Sequence, residues 1–393
     1  MKHYWLSALL ISVLALSCNK NDKGDDPAPV PGPFTADLVV GGDISTLQLY
    51  EDNKVAYYDD QGARINDVLS YLGSEAVGWN ALRVRLFVNP KQLDPDGKRD
   101  PQVCQDLDYT VRLCKRIKAA GFGLLLDFHY SDTWADPSNQ WIPAEWASLT
   151  DDQLQKKIYE YTKASLRRLV SEGAAPDFIQ IGNEISYGML WSATVNRTSR
   201  TNRCYTDGDQ APWDRFVGFL TQASKACREV CPNAKIVIHT ERTGKPSALK
   251  TIYMKLAKVD YDIIGLSYYP FWHNSLEVLS QSLNTLKTQF PNKPVQIVET
   301  AYYYQWQPEG SITYDFSSTW PITPAGQAAY AADLIQELKK HDNVTGLYWW
   351  FPEENGNGPG DCVLTGWINR GLWDNASHKA LPGLFVLKDF LKK

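Results

Sequence analysis

Eight short apolar runs, each followed by an amphipathic stretch, recur along this chain. That alternation constrains the fold more than any other feature. The runs are Asp37–Asp43, Ala81–Val88, Gly123–Tyr130, Phe178–Glu184, Lys235–Glu241, Asp262–Tyr269, Val295–Thr300 and Val344–Phe351. Most are almost continuously apolar, as parallel strands covered on both faces must be. Between them "LDYTVRLCKRIKAAG" reads as a helix closed by Gly121. "TDDQLQKKIYEYTKASLRRLVSEG" reads as one opened by Thr150 and closed by Gly173. Later helices are expected to begin near Pro212, Ser247, Asn274 and Pro324, and the last is "LPGLFVLKDFLKK". Eight strand–helix units is the number that closes an α/β (β/α)8 TIM barrel. A doubly wound sheet is the alternative, but the chain has no G-x-G-x-x-G phosphate loop.

In such a barrel the active site lies at the C-terminal ends of the strands. Those ends are polar here: Asp43, Arg83/Arg85, Asp127/His129, Asn183/Glu184, His239/Glu241, Tyr268/Tyr269, Glu299 and Trp349/Trp350. Glu184 closes the fourth run and Glu299 the seventh, so two carboxyls are expected to face each other across one mouth. Such a pair is the minimum equipment for hydrolysing a glycosidic bond, one carboxyl protonated and one ionised. Asn183 could hold a sugar hydroxyl. Arg85, on a neighbouring strand, is expected to keep Glu299 ionised by charge pairing. The 14 Trp and 21 Tyr favour a ligand that stacks. A net charge of −5, with no basic patch, argues against nucleic acid.

The same residues resemble a known pattern. Asn-Glu ending strand four and Glu ending strand seven are similar to the signature of the retaining clan A glycoside hydrolases. Within that clan "DFHYSDTWADPSNQ", "GWNALRVRLFVNP", "IQIGNEISYGMLW", "LSYYPFWH" and "IVETAYYY" resemble, in order, glycoside hydrolase family 53, the endo-β-1,4-galactanases. The resemblance runs from about Leu38 to Phe390 and implies a barrel that cleaves β-1,4-galactan, the side chain of pectin, with retention. It implies Glu184 as acid/base and Glu299 as nucleophile. Arg85, His129, Tyr130, Asp136, Asn183, His239, Tyr268 and Trp349 are then expected to line the sugar subsites, with Trp349 stacking on the sugar at the cleavage point. Another clan A specificity (mannanase, xylanase or cellulase) and a non-catalytic glycan-binding barrel are the alternatives. Retention of both glutamates weighs against the last.

No cofactor is required for this chemistry. Some family members hold a structural calcium after strand seven with a D-x-D-x-H-x-N run. Here that loop reads "AYYYQWQPEGSITYDFSSTW", lacks that run and offers only Glu309 and Asp315, which leaves a structural calcium there possible without the family's pattern for it. The spacing of His129, Asp132 and Asp136 could mimic a metal site, which glycoside cleavage does not need. Trp141 and Trp191 read as groove walls or loop plugs. Residues 360–374, "GDCVLTGWINRGLWD", could form an outer subsite or brace the barrel top.

The first residues stand apart from the fold. "MKHYWLSALLISVLALSC" has a basic start, an apolar run too short to span a bilayer and a closing cysteine, and resembles a lipoprotein signal peptide over residues 1–17. Cys18 would carry the lipid. Residues 18–35 read as an acidic, then Pro-rich tether, and 36–393 as a single catalytic domain. Acidic residues just behind the cysteine resemble the export signal of Bacteroidetes surface lipoproteins. The expectation is therefore an outer-membrane lipoprotein exposed at the cell surface, monomeric, touching the membrane through its anchor alone. Six further cysteines (Cys104, Cys114, Cys204, Cys227, Cys231 and Cys362) contain no C-x-x-C pair, and their spacing does not encode a pairing.

Overall fold

The structure is a computed structural model that describes residues 34–193, 200–306, 312–356 and 367–392. The leader, Cys18 and nearly all of the tether lie outside the described residues, as do Glu309 and Cys362.

Eight strands close into one parallel barrel: β1 Val39–Asp43, β2 Ala81–Leu86, β3 Gly123–Phe128, β4 Phe178–Ile181, β5 Lys235–Thr240, β6 Ile263–Ser267, β7 Val295–Thr300 and β8 Val344–Trp350. Each pairs with its sequence neighbours, and β1 closes the ring against β8, with Asp43 opposite both Arg83 and Trp350. All eight expected runs are strands; most stop one to three residues short, because the last residues of each run turn outward into the rim.

Helices cover the outside. Leu107–Ala119 is capped by Asp106, whose side chain accepts from the Tyr109 N–H, and Asp151–Ser171 opens with a capping box between Thr150 and Gln153. Gly121 and Gly173 follow these two helices at φ +84 and +75, a left-handed turn that favours glycine. The remaining long helices are Gln210–Val230, Pro246–Lys255, Leu276–Gln289 and Pro324–Lys339, near the expected starts.

Inside the barrel one residue from every strand meets in a closed layer: Val39, Ala81, Leu125, Phe178, Val237, Ile263, Val298 and Tyr348. Side chains alternate across a strand. Counting up by twos from this layer therefore tells which residues point inward, toward the barrel axis and its mouth. The series runs to Asp43, to Arg83 and Arg85, to Asp127 and His129, to His239, to Ser267 and Tyr269, and to Trp350.

That count corrects three expectations. Tyr130, Tyr268 and Trp349 are on the opposite parity and point into the helical layer. The Tyr130 hydroxyl lies 2.7 Å from Thr162 Oγ1 on the helix Asp151–Ser171, and its ring stacks on Phe128. Tyr268 donates to Asn274 O at 2.8 Å. Trp349 is fully buried, donates its indole N–H to Arg370 O and packs edge-on against Tyr330. None of the three lines the cleft. Trp141 and Trp191 are buried and pack on each other edge-to-face, as loop plugs.

Candidate active site

A cleft of about 990 Å³ opens at the C-terminal end of the barrel. Glu184 and Glu299 share its floor. An oxygen of each, with a ring nitrogen of His239, lies within 4.8 Å of the others. Glu184 sits three residues past β4 at φ +47, a left-handed position that costs about 1–3 kcal/mol for a non-glycine residue. This turn sends its backbone N–H back toward His239 Nδ1, 3.3 Å away, and leaves its carboxyl in the cleft.

The two carboxyls live in opposite surroundings. Glu299 is almost fully buried. Arg83 reaches it from β2, with Nη2 2.9 Å from Oε1, and the Tyr269 hydroxyl donates to Oε2 at 3.0 Å. Burial raises its pKa, while Arg83 pulls it down; the balance stands at about 6. Glu184 has no cation among its described hydrogen-bond partners. Burial, then the neighbouring charges of Glu299 and Glu241, push its pKa well above the usual carboxyl range. One carboxyl is thus built to ionise near neutral pH and the other to keep its proton.

The cation that holds Glu299 is Arg83, which corrects the expectation of Arg85. The two residues are one pleat apart on the same face of β2, so sequence pattern alone does not choose between them. Fully buried, Arg83 also pairs with Asp43 and Asp127, each at 2.8 Å, and donates to Asn183 Oδ1 at 2.8 Å. Arg85 lies nearer the rim and pairs with Asp43 at 2.9 Å. Its guanidinium packs under Trp134, 4.8 Å from the ring centre, and beside Trp350, and it still lines the cleft.

The remaining expected residues fall into two groups. His129, Asp136 and Asn183 line the cleft. His129 Nε2 lies 3.1 Å from Asp127 Oδ2, and Nδ1 accepts from the Ala135 N–H. Asp136 accepts from Asn139 Nδ2, and burial raises its pKa. Asn183 Nδ2 donates to Ala135 O and carries a second N–H donor. His239, by contrast, is fully buried beneath Glu184 and touches no cleft space. Burial holds it well below the usual imidazole range, so it is neutral.

Several residues of the site lie outside the expected set, although Trp367 falls in the 360–374 segment read as a candidate outer subsite. Trp350, Trp134, Trp272 and Trp367 form an aromatic wall with Tyr269; the Trp350 and Trp367 ring centres are 4.3 Å apart. Glu241, accepting a short hydrogen bond from Ser186, is a third buried carboxyl, raised to about 7 mainly by burial. Ser267, at the end of β6, lies between the two glutamates. The counting rule above would have found Tyr269, Trp350 and Ser267.

Among the described residues, the candidate donor atoms already have protein partners. Both nitrogens of His239 already face protein partners, and Glu299 Oε1 is taken by Arg83. His129 Nδ1 and Asp132 are likewise engaged with backbone N–H groups. In the loop after β7 the described residues contribute one carboxylate, Asp315, which accepts from Ser317 N. Calcium takes six to eight oxygens.

A closed parallel barrel with two differently tuned carboxyls facing across its C-terminal mouth, walled by tryptophans, is the layout of a barrel glycoside hydrolase. The comparisons narrow the class. A profile of Glycosyl hydrolase family 53 matches residues 39–387, so the chain belongs to that family. It is 30% identical over 347 residues to the Endo-beta-1,4-galactanase of Bacillus subtilis (strain 168), covering 86% of this chain and 74% of that protein. Among solved structures, the Ignisphaera aggregans GH53 catalytic domain superposes with a TM-score of 0.76 at 32% identity, covering 91% of this chain and 97% of that one. A fungal β-1,4-galactanase superposes at 0.71 with 29% identity, covering 89% and 98%. The protein is therefore a glycoside hydrolase of family 53.

Proposed function

We propose that this enzyme is an endo-β-1,4-galactanase acting on galactan and type I arabinogalactan side chains of pectin, with retention of anomeric configuration. Glu184 is the acid/base and Glu299 the nucleophile. The observation that carries this reading is the pair itself, two carboxyls with oxygens within 4.8 Å and unequal proton affinities, Glu184 raised further than Glu299. A spacing of about 5–5.5 Å suits a nucleophile, whereas inverting pairs stand about 6.5–9.5 Å apart to admit a water. The galactanase names of relatives at this identity and coverage support the substrate class.

In the first step Glu299 attacks the anomeric carbon, and Glu184 gives its proton to the departing oxygen. In the second, Glu184, now a carboxylate, takes a proton from water as that water displaces Glu299. Arg83 and Tyr269 keep Glu299 ionised for the attack. The tryptophan wall supplies stacking area for the sugar rings, and Asn183 Nδ2 and Arg85 supply donors. The chemistry requires no cofactor.

The roles separate by stereochemistry. With an aryl galactobioside and azide, Glu184→Ala should give a β-azide, because Glu299 still forms the covalent intermediate. Glu299→Ala should give at most an α-azide. Reducing-sugar release from galactan against mannan, xylan and cellulose tests the substrate. An inverted first product from wild type would reject the retaining assignment.

The lipoprotein reading of residues 1–35 belongs to the same proposal: a lipid on Cys18, an outer-membrane anchor, outward display and a monomeric catalytic domain. Its support is the leader sequence alone. Replacing Cys18 with Ala should release soluble enzyme, and external protease on whole cells should remove activity if the enzyme faces outward.

A further inference from the structure

Ser267 ends β6 and is fully buried. The β6–β7 register shifts between Leu266 and Ser267, so Ser267 stands opposite Glu299 rather than one residue below it. Its Oγ lies 2.6 Å from Glu184 Oε1, 3.4 Å from Glu299 Oε2 and 2.9 Å from His239 Nε2. Its hydroxyl is thus within hydrogen-bond distance of both glutamates, and nothing in the mechanism above uses it.

A hydroxyl has one proton, so the direction of this chain matters. His239 decides it. Nδ1 faces the Glu184 backbone N–H at 3.3 Å, which can only donate, and the Gln180 side-chain nitrogen at 3.1 Å. Gln180 Nε2 is fixed as nitrogen by Asp127 Oδ1, 2.6 Å away. Asn183 Oδ1, 3.0 Å from Nδ1, would favour the other tautomer, but that oxygen is already supplied by Arg83 Nη2 at 2.8 Å. Nδ1 is therefore the acceptor and Nε2 carries the hydrogen. Nε2–H points at Ser267 Oγ, and the serine proton is left for a carboxylate.

We propose that Ser267 is a positioning residue that donates its hydroxyl to Glu184 Oε1 and so holds the acid's own proton on the outward oxygen, Oε2, toward the scissile bond. The proposal rests on Glu184 being the acid/base. When Glu184 is neutral, Oε1 is its carbonyl oxygen and accepts from Ser267; a proton there would point into the protein. In the first step the Oε2 proton goes to the glycosidic oxygen, which keeps the electron pair of the broken bond to the anomeric carbon, while Glu299 forms the new one. Glu184 is then a carboxylate, and the Ser267 contact becomes charge-assisted. In the second step Oε2 takes a proton from the attacking water, and Glu299 leaves. The Ser267 and His239 protons stay where they are throughout. Glu184 is faced by Glu299 from β7, Glu241 beyond β5, Asp136 beyond β3 and Tyr269 beyond β6, with His239 beneath it. Three of these are carboxyls that raise its pKa; Ser267 is the donor that lowers it.

The test compares wild type, Ser267→Ala and Ser267→Cys (nearly isosteric, with a weak donor). A dinitrophenyl β-galactobioside reports the first step without needing an acid; its phenolate burst should keep its rate within about threefold in both variants. On galactan, which needs the acid, kcat should fall about 10- to 100-fold in Ser267→Ala, with KM near wild type, the effect of one lost hydrogen bond to a charged group. The basic limb of kcat/KM should move to higher pH, with Ser267→Cys in between. A limb that moves down would mean the serine accepts from Glu184 and would overturn the proposal, as would an unmoved limb with equal losses on both substrates. A wild-type enzyme that cleaves galactan without any burst would remove the double-displacement reading beneath it.

Discussion

Tyr269→Phe is the cleanest probe of how the site keeps Glu299 ionised. The change removes one hydroxyl and leaves a ring of the same shape packed between Trp272 and Trp367, at 5.3 and 5.7 Å. That hydroxyl donates to Glu299 Oε2 at 3.0 Å and lowers the pKa of a carboxyl that stands at about 6. A hydrogen bond to a charged group contributes about 1.5–3 kcal/mol, and one pKa unit corresponds to about 1.4 kcal/mol. Losing the bond should therefore carry Glu299 up by about one to two units. The nucleophile is active only when ionised, so the acid limb of kcat/KM should move from about 6 to about 7–8. At pH 6 wild type is half ionised and the variant about a tenth to a hundredth, which predicts a loss of about 5- to 50-fold that shrinks as pH rises. The assay is the initial rate on galactan from pH 5 to 9. An acid limb that stays near 6, with a loss equal at every pH, would show that the hydroxyl only fills space and refute the reasoning.

Three further outcomes follow from the same geometry. Trp350→Ala should reduce kcat/KM on galactan with a modest fall in melting temperature. Its neighbour Trp349→Ala should instead cost about 3–5 kcal/mol of stability in denaturant titration and leave the kinetics of folded enzyme near wild type. Arg83→Met removes the cation shared by three buried carboxylates, and should cost about 3–5 kcal/mol in urea unfolding. Glu353 is fully buried with its Oε1 on Thr46, and burial lifts it to about 8. A carboxyl raised in the folded state contributes stability at low pH and loses it as pH climbs through about 4.5 to 8, here up to about 5 kcal/mol. Glu353→Gln should match wild type near pH 5 and melt higher at pH 9; parallel curves would disprove it.

Most of the barrel was legible because parallel strands buried on both faces leave continuous apolar runs, and eight such runs admit few closures. Glu184 and Glu299 were legible for a related reason, since a carboxylate at the end of an apolar run needs a cleft or a partner. What could not be read were contacts between strands. Arg83 and Glu299 are 216 positions apart (299 − 83) and meet only because the ring closes. Glu353 meets Thr46 across the β1–β8 seam for the same reason.

The aromatic errors have a different origin, the choice of phase. Tyr268 or Tyr269 and Trp349 or Trp350 are neighbours of like chemistry, and only a reference point inside the barrel separates them. Polar residues already in the sequence could have served. Asp127 and His129 must both face the mouth, which forces Tyr130 outward. Along β6, Ser267 and Tyr269 share a face while Tyr268 does not. The rule breaks at β7. Val298 belongs to the interior layer, so alternation alone would send Glu299 outward, yet it lies in the cleft. There the β7 register shifts against both neighbours, between Leu266 and Ser267 on β6 and between Ile297 and Thr300 on β7 itself. A bulge that re-aims one side chain costs ladder hydrogen bonds and is found where function needs the new direction. This parity violation falls at the proposed nucleophile, and it sets Glu299 against Arg83, Tyr269 and Ser267.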